Sequence, residues 1–147
     1  MYKHILVPTD GSNLSARAIH EAVAFARSNG ARISGFYAAP QYSVQVYGDF
    51  IPPDFITPQE FARQSKRTAE KYLGAIQKSA KAAGVRCKTG YVSSDTPWQA
   101  IIKAARANKC DLIFMASHGR RGLAGLLLGS ETTKVLTHSK IPVLVHR

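Results

Sequence analysis

The chain has few of the residues that build disulfide frameworks or metal sites. Two of its 147 residues are cysteines, Cys87 and Cys110, which lie far apart and form no CxxC pair. A disulfide framework is therefore not expected, and both thiols are predicted to be reduced packing residues. The five histidines show no metal-ligand spacing, so the sequence does not support a zinc site.

Long apolar runs are also missing. No segment approaches the roughly 18 consecutive apolar residues that a membrane span requires. The first residues, from Met1 to His4, lead directly into a strand-like segment without a signal peptide or a small-residue cleavage site. We therefore expect no membrane span and a cytoplasmic location.

Three familiar motifs are absent. The chain contains no GxxxxGK[ST], so it has no P-loop lysine for terminal phosphates. No GxGxxG follows the first predicted strand, which argues against a dinucleotide site. Without a GxSxG motif, the chain also lacks the usual nucleophile for acyl transfer.

Positive charge is abundant and unevenly distributed. The formal net charge is +11, yet residues 1–60 carry four Lys/Arg and five Asp/Glu, against sixteen and four in residues 61–147. This asymmetry fits either affinity for an anionic polymer or surface, or a solvated basic helix face. We expect the solvated face, and no nucleic-acid partner, because aromatic residues are not interleaved with the basic ones.

Strand-like and helical patterns alternate along the chain. Short apolar segments predict strands at residues 4–9, Arg32–Ala39, 85–91, 112–117 and 141–146. Helical spacing predicts helices from Ser12 or Asn13 to Gly30, over residues 58–83, after Asp95 or Thr96, and over residues 131–139. This order predicts one α/β domain over residues 1–147, with an open five-stranded, mostly parallel sheet and helices on both faces.

Residues 40–60 interrupt this alternation. Four prolines alternate here with tyrosines and phenylalanines, which excludes a regular helix. The apolar side chains of such a long excursion must be buried somewhere, and such segments are often lids or partner surfaces. We expect the excursion to cover a ligand or a dimer contact.

The most informative segment is residues 112–130. An apolar strand stops at His118-Gly119, a loop with four glycines and two adjacent arginines follows, and a helix begins after Gly129-Ser130. Strand, glycine-rich loop and helix start together favour a phosphate site, because glycines turn backbone N–H groups toward an anion and the helix start adds unpaired donors. The alternative is a surface loop that only connects a core strand to a helix.

A second loop is expected to meet this one. Residues 9–11 and residues 117–119 both follow predicted parallel strands, and ligands of open α/β sheets bind at the carboxyl ends of strands where the strand order switches. Two polar, glycine-containing loops at that edge strengthen the prediction of a phosphate site.

These motifs resemble the universal stress protein family. The segment from Pro8 to Ser12 is similar to its opening, and residues 111–119, a nine-residue spacer and Gly129-Ser130 are similar to its ATP-binding subclass. Residues 141–145 resemble its closing strand. The resemblance runs from Lys3 to the C-terminus and implies a Rossmann-like, adenine nucleotide alpha hydrolase-like fold with strand order 3-2-1-4-5.

The resemblance implies a role for each matching position. Asp10 would accept hydrogen bonds from the ribose or adenine side, Pro8 and Thr9 would shape the pocket, Ala38 would contact adenine through its backbone, and Met115 would lie beside the sugar. The complete ATP-binding set expected is Pro8, Thr9, Asp10, Ala38, Met115, Ala116, Ser117, His118, Gly119, Arg120, Arg121, Gly122, Gly129, Ser130, Glu131 and Thr132.

The phosphates would be held by the glycine loop and the following helix start. Backbone N–H groups of residues 119–122 and 129–132 would cradle them, the Ser130 hydroxyl would donate, and Arg120 and Arg121 would add charge-assisted bonds. Other roles remain open: Asp10 and Ser130 as helix caps, and the arginines as solvated side chains.

The chain departs from the motif of the subclass at one position. The motif is glycine, two residues, glycine, nine residues, glycine, then Ser or Thr, and Ala116 replaces its first glycine. A methyl group would weaken binding if the position needed positive φ or very close phosphate approach. We expect alanine to be tolerated.

The resemblance implies a cytoplasmic module that binds ATP, with Mg²⁺ held by the nucleotide phosphates and no metal held by the protein alone. It also implies a homodimer through the strand from Ile141 to His146, and we expect the module to act as a sensor or through a regulated partner. No general base is evident, so slow or no hydrolysis and no catalytic residue are predicted. The alternatives are a nucleotide-free stress protein that acts through protein contacts or its basic surface, and an enzyme of the related hydrolase group, whose SGGxDS loop or HxGH box is absent.

Overall fold

The computed structural model describes residues 1–44, 55–120 and 127–147. In these residues, strands and helices alternate in the order β1 (His4–Pro8), α1 (Asn13–Asn29), β2 (Arg32–Ala39), α2 (Pro58–Ala82), β3 (Cys87–Ser93), α3 (Pro97–Ala107), β4 (Leu112–Ala116), α4 (Ser130–His138) and β5 (Val143–His146). None of these helices is both long enough and apolar enough to cross a bilayer.

The five strands form one parallel sheet in the order β3-β2-β1-β4-β5. This confirms the α/β fold and the strand order that the resemblance implies. All five residues of the central strand β1 are buried, whereas β3 at one edge is largely exposed. Central strands of a covered parallel sheet are buried on both faces, which explains the continuous apolar run of β1.

Helices cover both faces of the sheet. On one face α1 and α2 enclose a core that includes Ile5, Val23 and Ile76; on the other face α3 and α4 enclose a core that includes Leu6 and Ile101. Truncating a fully buried residue such as Ile76 to alanine would cost about 2–5 kcal/mol. Helices therefore pack on both faces of the sheet, and the connecting loops lie at the amino and carboxyl ends of its strands.

The ends of α1 follow its sequence signals. The Ser12 hydroxyl accepts a hydrogen bond from the Ser15 N–H at 3.1 Å and caps the N-terminus. At the other end Gly30 adopts a left-handed conformation with φ of 61°, which glycine reaches without a Cβ penalty. Both predicted boundaries are confirmed.

Two strands, β3 and β5, start two residues later than the sequence predicts. β3 begins at Cys87 because the Val85 N–H donates to the Ala80 carbonyl and belongs to the turn that ends α2. β5 begins at Val143, since the N–H and C=O of Ile141 both bond the Ser139 hydroxyl and Pro142 has no N–H to donate.

The two ends of the proline-rich excursion meet at the start of α2. The Tyr42 hydroxyl donates to the Ile56 carbonyl at 2.8 Å, and the Tyr42 ring lies 5.3 Å from that of Phe61. The predicted lid or dimer contact falls mainly on residues 45–54, which lie outside the described residues.

Candidate functional site

The candidate site lies at the carboxyl edge of the sheet between β1 and β4. These strands are neighbours, yet β1 continues through α1 to β2 on one side, whereas β4 is reached by the crossover helix α3 from β3 at the edge. The strand order therefore switches between β1 and β4. Connections leave this point in opposite directions and open a crevice, where ligands of open α/β sheets bind.

The loop after β1 is held by its own side chains. Thr9 is buried, and its hydroxyl oxygen accepts hydrogen bonds from the Gly11 N–H at 3.1 Å and the Ser15 hydroxyl at 2.8 Å. Gly11 has φ of 75°, and a Cβ at this position would overlap the ring of Tyr72. Glycine is required here both for its conformation and for the close approach of α2.

Asp10 joins the two predicted loops. Its Oδ1 accepts from the Ser12 N–H at 2.9 Å, and its Oδ2 accepts from the Arg120 N–H at 2.9 Å. A Cβ on Gly119 would overlap Asp10 Oδ2, so the glycine permits this approach. The structure therefore brings residues 9–11 and 117–120 together, as the sequence predicts.

The Arg120 side chain folds back over the first loop. Its Nε donates to the Asp10 carbonyl at 3.1 Å, and its Nη2 donates to the Gly11 carbonyl at 3.3 Å and the Tyr72 hydroxyl at 2.7 Å. The guanidinium carbon also lies 5.4 Å from the centre of the Tyr72 ring. Arg120 is thus exposed, and its guanidinium is hydrogen-bonded to the loop after β1 and to Tyr72.

The glycine loop is closed at its base. Ser117 is buried; its N–H donates to the His146 carbonyl, and its carbonyl accepts from the Gly129 N–H, both at 2.7 Å. The Ser117 hydroxyl lies 3.2 Å from His118 Nδ1. A Cβ on Gly129 would come within 3.1 Å of the His118 backbone, so glycine allows the two loop ends to pack together.

The N-terminus of α4 faces the same region. Gly129 is the N-cap and provides no side chain, so Ser130 does not cap the helix. The first intrahelical bond runs from the Thr133 N–H to the Gly129 carbonyl. The N–H groups of residues 130–132 therefore precede the helical ladder, and a helix start of this kind favours anions.

The side chains of Glu131 and Thr132 stabilise the scaffold. Glu131 Oε2 accepts from the Trp98 N–H in the first turn of α3 at 2.9 Å, while Oε1 lies 3.1 Å from Lys134 Nζ. Thr132 is buried and donates through Oγ1 to the Ala116 carbonyl at 3.0 Å. Only their backbone groups are therefore available to a ligand at the helix start.

Ala116 lies at the end of β4 and does not adopt positive φ; among the residues described, Lys109 is the one non-glycine that does. The alanine methyl group thus causes no backbone strain at the position where the motif of the subclass has glycine. Of the two ways in which Ala116 could weaken binding, a need for positive φ is therefore excluded, and close approach of a phosphate is the other.

The remaining predicted residues fall into three groups. Pro8 and Ala38 lie at the ends of β1 and β2, on the same edge as Asp10. Met115 is also near this edge, but its side chain is buried in the core with α3 and α4. Arg121 and Gly122 lie outside the described residues.

Two tyrosines at the crevice were not predicted as site residues. Tyr72 contacts both Gly11 and Arg120, and its ring meets that of Tyr37 edge-on at 5.2 Å. Burial raises the pKa of Tyr37, and Tyr72 and Asp10 raise it further while Arg120 lowers it. Tyr72 falls on the apolar stripe of α2, which identifies it in the sequence only as a core residue.

The described residues contain no group of three or more His, Cys, Asp or Glu side chains placed to hold a metal ion. Around the crevice, the Asp10 carboxylate accepts two backbone N–H groups and the Glu131 carboxylate is bound to Trp98 and Lys134. The arrangement supplies backbone donors for an anion.

Comparisons with known proteins identify the family of this chain. The model of the universal stress protein family matches residues 1–147, and the chain belongs to that family. A universal stress protein of Thermus aquaticus is 31% identical over 147 residues, with both chains fully covered.

Solved structures show the same fold. The structure of MJ0577 of Methanocaldococcus jannaschii has a TM-score of 0.78 and 26% identity, covering 99% of this chain and 95% of that one. A universal stress protein in complex with cAMP has a TM-score of 0.69 and 26% identity, covering 99% and 97%.

Proposed function

We propose that the crevice between β1 and β4 binds an adenine nucleotide, ATP in particular, and that the protein is a regulatory module of the stress response. One observation carries the proposal: Asp10 contacts the glycine loop through Arg120 N–H, beside the uncapped start of α4. A carboxylate for the sugar or base and a row of N–H groups for phosphates thus lie at one strand-order switch.

The phosphates would be held by backbone donors. The N–H groups of residues 130–132 have no partner within α4, and the Ser130 hydroxyl is exposed beside them. Residues 119–122 would complete the cradle. Magnesium would be carried by the phosphates, because the nearest carboxylate on α4, Glu131, already accepts hydrogen bonds from Trp98 and Lys134.

The nucleoside would lie over the ends of β1 and β2. Asp10 would accept hydrogen bonds from the ribose or adenine side, with Pro8 and Thr9 forming the floor, and Ala38 would contact adenine through its backbone. Met115 would contribute through its backbone, since its side chain belongs to the core. The universal stress protein solved with cAMP, at 26% identity, supports an adenine nucleotide as the ligand class.

Hydrolysis would be slow or absent. Phosphoryl transfer needs a positioned nucleophile and a charge clamp beside the metal. His118 is a titratable side chain at the loop, and its Nδ1 pairs with the Ser117 hydroxyl. A turnover above about one per second, the low end of ordinary enzymes, would contradict this part of the proposal.

The module would act in the cytoplasm as a homodimer. A protein partner would bind it differently according to whether nucleotide is bound. Within the described residues β5 pairs only with β4, so its outer edge is open and suited to antiparallel pairing with a second copy.

A second candidate function is a stress protein that works without nucleotide. It is favoured by the contacts of Arg120, whose side chain occupies the carbonyls of Asp10 and Gly11. Replacing Arg120 with alanine separates the two functions. If Arg120 turns toward phosphate, the wild type binds ATP and the variant binds it more weakly; if its contacts close the crevice, the wild type binds no ATP and the variant gains binding.

Nucleotide retained during purification tests the proposal. We expect freshly purified wild-type protein, once denatured, to release ATP that chromatography can identify, and Gly119→Val to release none because its side chain would overlap Asp10. Gly90→Val is the matched control, since a Cβ at Gly90 meets nothing within 4 Å. Absence of nucleotide from all three proteins, with no uptake of added ATP, would favour the second candidate.

A further inference from the structure

Four cationic residues lie at the amino-terminal edge of the sheet, opposite the candidate nucleotide site. Arg86 precedes β3, Arg32 begins β2, Lys3 precedes β1 and Lys109 precedes β4. These are four neighbouring strands of a parallel sheet, so their starts share one edge. The fold therefore places one cation at, or just before, the start of each of these four strands.

Backbone hydrogen bonds fix the spacing of this row. The Arg32 N–H donates to the Lys3 carbonyl at 3.0 Å, and the Ile33 N–H donates to the Arg86 carbonyl at 2.8 Å. The Asp111 N–H donates to the His4 carbonyl at 2.9 Å, which holds the start of β4 beside that of β1. The sheet thus fixes the backbone at Lys3, Arg32 and Arg86, and Lys109 lies in the turn between α3 and β4.

A cavity of about 330 Å³ opens between them. It is lined by Lys3, His4, Gly30, Arg32, Arg86, Lys109 and Asp111. Its volume lies at the lower end of the range of about 300–1,000 Å³ that is typical of small-molecule sites.

The positive charge of the cavity is poorly compensated. Its one carboxylate, Asp111, accepts from the backbone N–H groups of Lys3 and His4 at 2.8 and 2.9 Å. In residues 1–44, 55–120 and 127–147, none of the four cationic side chains forms an ion pair. Four cations against one bound carboxylate attract a multiply charged anion.

Lys109 is held in a conformation that disfavours it. It follows α3 with φ of 54°, the position where α1 has Gly30 with φ of 61°. Glycine is the usual residue at such a helix end. A lysine there brings a cation to the cavity at a conformational cost.

One uncharged polar side chain, His4, forms part of the cavity wall. It lines the cavity, is 8% exposed, and its Nε2 lies 2.8 Å from the Ser34 hydroxyl. Its Nδ1 is fully enclosed beside the backbone of Asn108 and Lys109, so His4 shapes the cavity without offering a contact to a ligand.

We propose that this cavity is a binding site for a small anion with two or more phosphate groups, separate from the crevice between β1 and β4. The cavity is partly open to solvent, and its volume of about 330 Å³ suits a small anion better than a nucleic acid strand. So does the lining, which includes no Phe, Tyr or Trp on which bases could stack, as far as the described residues show.

Calorimetric titration with inorganic triphosphate, in salt of about 0.15 M, tests the site. We expect Arg32→Gln/Arg86→Gln to bind about tenfold more weakly than the wild type, because two charge-assisted contacts are lost. Lys71→Gln/Lys78→Gln removes the same charge from exposed positions of α2 and should bind within twofold of the wild type. Equal weakening in both pairs, or no binding by the wild type, would contradict the proposal.

Replacing Lys109 with glycine adds a test in which weaker binding cannot be explained by unfolding of the variant. The variant should melt at a higher temperature, since glycine accepts positive φ, and should bind triphosphate more weakly. A variant with unchanged affinity would show that Lys109 has no part in binding.

Nuclear magnetic resonance locates the bound anion in the wild-type protein. Triphosphate should shift the His4 ring and the Lys3 and Arg32 amides, and should do so equally in Gly119→Val. Shifts confined to residues 119–132 would place the anion in the glycine loop and contradict a separate site. A single-stranded oligonucleotide that binds more tightly than triphosphate and is weakened by the same Arg32/Arg86 changes would contradict the small-anion assignment.

Discussion

The backbone N–H of Arg120 donates a hydrogen bond to Asp10 Oδ2 at 2.9 Å, although the two residues are 110 positions apart in the chain. The same carboxylate accepts from the Ser12 N–H through Oδ1. One side chain therefore orders the loop after β1 and ties it to the loop after β4. The candidate site depends on this connection.

Removing the Asp10 carboxylate should destabilise the protein. Asp10→Ala leaves the N–H groups of Ser12 and Arg120 without this acceptor, and a loss of about 1–2 kcal/mol in the free energy of unfolding is expected, because both groups are partly exposed. Urea denaturation measures it. Asp10→Asn retains one acceptor oxygen and should lose less; equal stability of the wild type and both variants would contradict a structural role for the carboxylate.

Glu131 should affect stability more than nucleotide affinity. Glu131→Ala removes the acceptor of the Trp98 N–H at the start of α3, where Thr96 forms no side-chain cap bond, and should cost about 1–2 kcal/mol. Thermal denaturation and ATP titration of the same variant separate the two effects. A large loss of ATP affinity without loss of stability would show that the carboxylate acts on the ligand or its metal.

Stability should fall at acidic pH because of His4. Burial lowers the pKa of His4 below its usual 6.5, and the Arg32 charge lowers it further. The unfolded chain then binds the proton more readily than the folded one, so the contribution is complete above pH 6.5 and is lost as the pH falls below it. Denaturation of the wild type and His4→Gln at pH 7.5 and 5.5 should show the larger loss in the wild type; parallel losses would exclude His4 as the cause.

The outer edge of β5 should form the dimer contact. The carbonyls of Pro142 and His146 accept from Ile113 in β4 and from Ser117 just after it, so by strand alternation the N–H of Val145 points to the open edge. Val145→Pro removes only that outward donor, and proline is tolerated on such an edge. Sedimentation should show a dimeric wild type and a monomeric, folded Val145→Pro; a monomeric wild type at micromolar concentration would contradict the assembly.

The sequence predicts the fold well because its signals are local. The boundaries of α1 follow from the Ser12 cap and Gly30, and β2 follows from an apolar segment between Gly30 and Pro40. β3 and β5 begin two residues later than predicted because the Val85 and Ile141 backbones bond elsewhere, to Ala80 and to Ser139. Apolarity alone does not reveal such partners.

The candidate site was predictable in part. The meeting of residues 9–11 with residues 117–119 follows from their places after parallel strands, and the structure brings them together through Asp10. The directions of the Arg120 and Glu131 side chains were not predictable, because their partners Tyr72 and Trp98 lie on other helices. The identity of the ligand stays a prediction.

Calorimetric titration of ATP into the wild-type protein, with Gly119→Val and Gly90→Val titrated alongside, tests the central claim most directly. The account predicts one ATP per chain for the wild type and for Gly90→Val, and loss of binding in Gly119→Val, whose side chain would overlap Asp10 Oδ2. Equal ATP affinity in all three proteins, or no binding by folded wild-type protein, would contradict a nucleotide site between β1 and β4.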